Sequence, residues 1–142
     1  MNVSARNVFK GKISALVDGA VNAEVELTLP GGDRIVAIVT EGSVRSLALA
    51  VGHEAIAYVK ALWVIIVAGE PEVRFSARNQ LSGQVSSVHK GAVNSEVAIA
   101  LPGGSTVHAV VTNEAALELG LKEGVPATAL IKASHVVLGV PV

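Results

Sequence analysis

The chain has no cysteine, which excludes a disulfide framework and any cysteine-ligated zinc. Aromatic residues make up only 3% of it, too few to build stacking platforms for nucleic-acid bases. Charge of either sign is sparse and nearly balanced, net −1, so no broad field draws in nucleic acid or an anionic membrane. Long hydrophobic runs are missing too. The longest, "ALWVIIVAG" at 61–69, is far too short to span a bilayer. The start of the chain, "MNVSARNVFKGK", lacks the apolar core of a signal peptide. These absences point to a soluble cytoplasmic protein with neither membrane nor nucleic acid as a partner.

What remains is small and apolar. The 142 residues suit one ordinary domain or two very small ones, and 51% of them are hydrophobic, mostly Val, Ala, Leu and Ile. The branched members of that set favour strands. Small domains bury a limited fraction of their surface, and here nothing covalent staples them. A homo-oligomer is therefore expected, as the way to add buried area.

The chain also repeats itself. "SARN" occurs at 4–7 and 76–79, "GAVN" at 19–22 and 91–94, and "LPGG" at 29–32 and 101–104, all offset by 72. Aligned without gaps, residues 1–70 and 73–142 share 27 identities, too many in one register to arise from composition. Two domains, 1–70 and 73–142, are expected, joined near "GEPEVR" at 69–74, where Pro71 marks the boundary.

Each half reads mostly as strand. Val21, Ala23, Val25, Leu27 and Leu29 alternate with Asn22, Glu24, Glu26 and Thr28, the period of a half-buried strand. "LPGGD" turns the chain, and "RIVAIVT" returns it. Thr40 is a candidate N-cap for a short helix stopped by Gly52, with Leu47 on its inner face; the second copy, "TNEAALELG", ends at Gly120. "AIAYVK" and "WVIIV" supply two more strands. The predicted fold is mostly β: two tandem OB-like small β-barrels, each of about five strands with one short helix.

A barrel core can drift between copies, and Ile13/Val85, Leu27/Ile99 and Ile35/Val107 have done so. Many of the identical residues are polar or glycine instead. Ser4, Arg6, Asn7, Asn22, Thr40 and Lys60 each recur at the matched position, and Glu24/Glu96 is the exceptional shared carboxylate. A set rich in donors and poor in acceptors describes an anion site. Thr40 would open a helix whose free N–H groups attract anions, with Ser43 in its first turn. Lys60 would add a point charge and Arg6 a planar fork. Singly, such residues are caps or solvated charges; their joint retention in both halves favours a site. Asn22 and Asn94 serve equally well as turn residues or as ligands. "LPGG" is turn chemistry, since no Gly-Lys-Ser/Thr follows it. His53, His89, His108 and His135 align with Val125, Val17, Val36 and Trp63, so no histidine recurs and no metal-ligand spacing appears. No nucleophile–base pair repeats either. No catalysis is expected.

"SARN", then "GAVNAE", then "VT", a nearby serine and a later lysine resemble the Mop domain, the molybdate-binding module of molbindins, over essentially the whole chain. The resemblance implies a cytoplasmic molybdate- or tungstate-binding protein for molybdenum storage and homeostasis, on an OB-like barrel, assembled as a homotrimer with oxyanion sites between units. It implies one class of site in which Ser and Arg of "SARN" meet the Thr, Ser and Lys of a neighbouring unit. By matching, the first half offers Ser4, Arg6, Thr40, Ser43, Lys60 and Ala61; the second offers Ser76, Arg78, Thr112, Lys132 and Ala133. A second class near the threefold axis would draw on Asn22 and Asn94. Ala115 stands where the first half has Ser43, so the halves are expected to bind unequally. Three rivals carry less: an anion-sensing regulatory or transporter module acting with other proteins, an OB-type nucleic-acid binder, and an enzyme acting on an oxyanion ester.

Overall fold

The computed structural model describes residues 1–142. In the first repeat β1 (Asn7–Asp18), β2 (Asn22–Thr28) and β3 (Arg34–Thr40) form an antiparallel meander. After it come α1 (Glu41–Ser46), β4 (Glu54–Val59), a 3₁₀ turn at Ala61–Trp63 and β5 (Ile65–Ala68). The second repeat copies this as β6 (Asn79–Lys90), β7 (Asn94–Ala100), β8 (Thr106–Thr112), α2 (Asn113–Glu118), β9 (Pro126–Ile131), a 3₁₀ turn at Ala133–His135 and β10 (Val137–Gly139). The twelve-residue strands β1 and β6 each carry a bulge, between Ile13 and Ala15 and between Val85 and Ser87. A bulge bends a strand and increases its twist. One end of β1 can then pair with β4 while the other pairs with β2.

The sheets do not follow the repeats. One runs β10-β4-β1-β2-β3 and the other β5-β9-β6-β7-β8, so each repeat lends its last strand to the other. Leu138 pairs with Ala57, and Ile66 with Ala129. The chain has thus crossed to the second sheet before it reaches Pro71. A single core of 26 buried residues draws on both repeats, and the drifted pairs Ile13/Val85, Leu27/Ile99 and Ile35/Val107 are all within it.

Residues related by the duplication touch one another at two places. The rings of Trp63 and His135 stack with centroids 4.8 Å apart, tilted by 39°. The "LPGG" tips also meet, so closely that a Cβ on Gly31 would overlap the carbonyl of Gly103. Contacts between equivalent positions mark a local twofold relating the halves. In each tip the second glycine, Gly32 or Gly104, takes a left-handed φ of +96° or +97° that favours glycine.

Three local expectations are corrected. Val21 is exposed, because β2 starts one residue after it, and the inward row begins at Ala23. The first helix ends at Ser46 rather than running to Gly52: Ala48 already has φ +51°, and Gly52 instead forms the turn into β4. In the second half Gly120, at φ +63°, follows the helix's last cap as expected. The segment "WVIIV" enters its strand only at Ile65, since Trp63 belongs to the 3₁₀ turn.

Candidate functional site

The "SARN" segments lead into β1 and β6 and are held there by their asparagines. Asn79 is buried, and its Nδ2 donates to the Val36 carbonyl at 2.8 Å while its Oδ1 accepts from the Val36 N–H at 2.7 Å. Asn7 does the same to the backbone of His108, at 2.8 and 2.7 Å. A side-chain amide carries the same donor and acceptor as a peptide, so it substitutes for one rung of a ladder. Each "SARN" is thereby clamped to the third strand of the opposite repeat. The repetition of Asn7 has a structural cause.

Arg6 and Arg78 also reach across. Arg6 Nη2 bonds Glu96 Oε1 and Arg78 Nη2 bonds Glu24 Oε1. The one shared carboxylate pair is therefore the partner of the shared arginine pair. Their side chains are still 58% and 54% exposed, so other N–H groups of each fork face solvent. The hydrogen bond from Arg6, then its charge and those of His108 and His89, hold the Glu96 carboxyl below its ordinary range against the opposing effect of burial. The carboxylates correspondingly raise both guanidinium groups.

Two clefts flank the Trp63–His135 stack. One, of about 600 Å³, has Ser4, Tyr58 and Lys60 among its lining residues; the other, of about 380 Å³, has Ser76, Arg78, Lys132 and Ala133. No Asp or Glu side chain lines either one. Lys60 and Lys132 occupy the N-cap positions of the two 3₁₀ turns, and Lys60 Nζ lies 5.9 Å from the Trp63 ring centre, within cation–π range. Ala61 and Ala133 are buried, leaving only their backbone N–H groups as possible donors.

Thr40, Ser43 and Thr112 line neither cleft. Thr40 caps α1: its Oγ1 accepts from the Ser43 N–H at 3.1 Å, and its hydroxyl donates to Ser43 Oγ at 2.9 Å. Thr112 Oγ1 accepts from the Ala115 N–H at 3.0 Å and has no second hydroxyl beside it. Both helices have only six residues, so their dipoles are short. The β2–β3 ladder sets Asn22 directly opposite Thr40, and the β7–β8 ladder sets Asn94 opposite Thr112. In one chain, then, each repeat presents two polar groups: a Ser–Lys cleft and an Asn–Thr helix start.

A sequence model of the TOBE domain matches twice, over residues 3–66 and 76–138. The chain belongs to the TOBE-domain family. It is 44% identical to the molybdenum-pterin-binding protein MopA of Rhodobacter capsulatus over 141 residues, 99% of this chain and 53% of that protein. It is also 44% identical to the molybdenum transport protein ModE of Azotobacter vinelandii over 140 residues, 99% of this chain and 52% of that one. The chain thus spans about half the length of the curated relatives it matches. A crystal structure of the cytoplasmic molybdate-binding protein ModG, with molybdate bound, superposes with a TM-score of 0.94 at 56% identity, covering 99% of this chain and 100% of that one. Two TOBE units on OB-like barrels are therefore established, as the repeat and strand pattern predicted.

The sequence left other residues of the TOBE pair without a role. Trp63 and His135 differ in type, so identity between repeats gives no signal for them, yet they stack between the two clefts. His108 places Nδ1 3.3 Å from Glu96 Oε1, a contact that Val36 cannot reproduce in the first half. Glu24 and Glu96 did repeat, and that repetition was the available sign that they hold something.

Proposed function

We propose that this protein binds a tetrahedral oxyanion, molybdate or tungstate, through the Ser4–Lys60 and Ser76–Lys132 clefts, for storage and homeostasis in the cytoplasm and without catalysis. The carrying observation is that two clefts, each with a repeated lysine and serine and no lining carboxylate side chain, occur on a fold that superposes closely on molybdate-loaded ModG. A dianion in such a cleft gains a charge-assisted hydrogen bond from the lysine and a neutral one from the serine. Arg6 and Arg78 add donors from the exposed side of their forks. The clefts are wide for an ion of this size, and Thr40 and Ser43 lie outside them. A homotrimer, in which a neighbouring chain brings Thr40 with Ser43, or Thr112 alone, to each Ser–Lys cleft, closes the site. Asn22 and Asn94, opposite the two threonines, are assigned to a second class of site near the threefold axis.

One observation favours a second reading. The same length of chain matches half of ModE, and relatives of that name include transcriptional regulators. An anion-sensing module that acts with other proteins would bind the same ligand. Elemental analysis of protein purified from molybdate-supplemented cells tests the shared claim: molybdenum at near-stoichiometric amounts is expected, and its absence after reloading with excess molybdate would overturn it. Co-purification of a stable protein partner would favour the regulatory reading over storage.

A further inference from the structure

The two halves differ in charge around the arginine clamps. In the first half Glu24 is held by Arg78, and the matched neighbours of that carboxylate are Val36 and Val17. In the second half Glu96 is held by Arg6, has His108 Nδ1 3.3 Å from the same oxygen, and is paired across the ladder with His89. His108 Nδ1 is buried and makes no well-aligned hydrogen bond. It stands beside a carboxylate oxygen that Arg6 already occupies.

We propose that His108 is a proton-operated release for Arg6, so that the oxyanion site using Arg6 tightens as pH falls while the site using Arg78 changes less. This rests on the reading of the two arginines as oxyanion donors. A neutral imidazole leaves Glu96 to Arg6. A protonated one donates from both ring nitrogens and adds a positive charge next to that oxygen. His108 then competes for Glu96 Oε1 and repels the guanidinium, which turns outward to an anion. Of the other ionisable groups nearby, only His89 also acts on Glu96, across the β6–β7 ladder, and the His108→Val variant below separates the two histidines. β7 brings Glu96 itself, β6 brings His89 to the far side of Glu96, and the start of β1 brings Arg6. The 3₁₀ turn 61–63 has no charged side chain and is preceded by Lys60; α2 carries Glu114 and Glu118, beyond Thr112 at the strand's end. By linkage, an anion that draws Arg6 away must raise the affinity of His108 for a proton.

The test has two arms. In anion-free protein, the arginine Nε–Hε resonances are followed by NMR together with the His108 ring from about pH 8 to about pH 5.5. Arg6 should shift with the titration of His108, and Arg78 should not. In the second arm, tungstate affinity is measured by calorimetry at both ends of that range for the parent and for His108→Val, which installs the first-half residue. Exposed ion pairs are weak, so the Arg6 class should tighten by up to about fivefold in the parent and distinctly less in the variant. An Arg6 resonance indifferent to His108, or a full pH effect kept in His108→Val, overturns the proposal. Should tungstate not bind at either pH, the oxyanion reading fails instead, and the anion-free arm alone decides whether His108 moves Arg6.

Discussion

The asparagine clamp gives the sharpest structural prediction. Asn79 satisfies both the N–H and the C=O of Val36, at 2.7 and 2.8 Å, and both residues are buried. Replacing Asn79 with Ala leaves two backbone groups without partners where water enters poorly. An unsatisfied buried polar group costs about 1–3 kcal/mol, so the pair should cost about 2–6 kcal/mol. Asn7→Ala should cost less, because the His108 backbone it serves is only partly buried and water can replace the amide. Asn79→Asp keeps an acceptor for the Val36 N–H but loses the donor and sets a carboxylate against a carbonyl, so it should rescue little. The assay is urea unfolding at one fixed protein concentration, since assembly makes apparent stability concentration-dependent. A lower midpoint at unchanged slope reports lost stability. If Asn79→Ala unfolds within about 0.5 kcal/mol of the parent, the range of an ordinary surface substitution, the clamp is not a stabilising element.

Three further outcomes are expected. Lys60→Ala and Lys132→Ala should each weaken oxyanion binding about tenfold or more at their own sites, since a hydrogen bond to a charged group contributes about 1.5–3 kcal/mol; calorimetry on the two variants checks this, and parent-like binding in both would reduce the lysines to surface charge. Ser43→Ala should make the two halves more alike and weaker, and Ala115→Ser more alike and tighter, each by roughly 1 kcal/mol for one neutral donor; an unmoved isotherm in both would leave Ser43 as a helix-start residue. Because Arg6 holds Glu96 below its ordinary range, that pair contributes stability that is complete above the unfolded carboxylate value, about 4.3, and is lost as pH falls through the folded value. The stability difference between the parent and Glu96→Gln should therefore shrink on the acid side, and thermal melts that stay equally separated down to about pH 3 would contradict the assignment.

Much of this fold was legible because duplication acts as an internal control. Ile13/Val85 and Leu27/Ile99 drift within the apolar class and are buried, whereas Gly31/Gly103 are fixed because two backbones touch there. The strand exchange was not legible. β5 meets alanines whichever sheet it joins, Ala127 and Ala129 in β9 or the equivalent Ala55 and Ala57 in β4. The sequence pattern of the strand is thus the same for both pairings. The Arg–Glu clamps were half legible: both members repeat, but the partners are 90 and 54 residues apart, and nothing local links them. His108 was illegible for the opposite reason. A search for repeated residues discards a feature present in only one half.

The central claim is that the two lysine clefts hold an oxyanion. Its most direct test is a crystal structure of the tungstate-loaded protein with an anomalous difference map at a tungsten absorption edge. Peaks within hydrogen-bonding reach of Lys60 with Ser4 and of Lys132 with Ser76, each closed by Thr40 or Thr112 of a neighbouring chain, are predicted. Tungsten bound elsewhere, with both lysines facing solvent, would contradict the account.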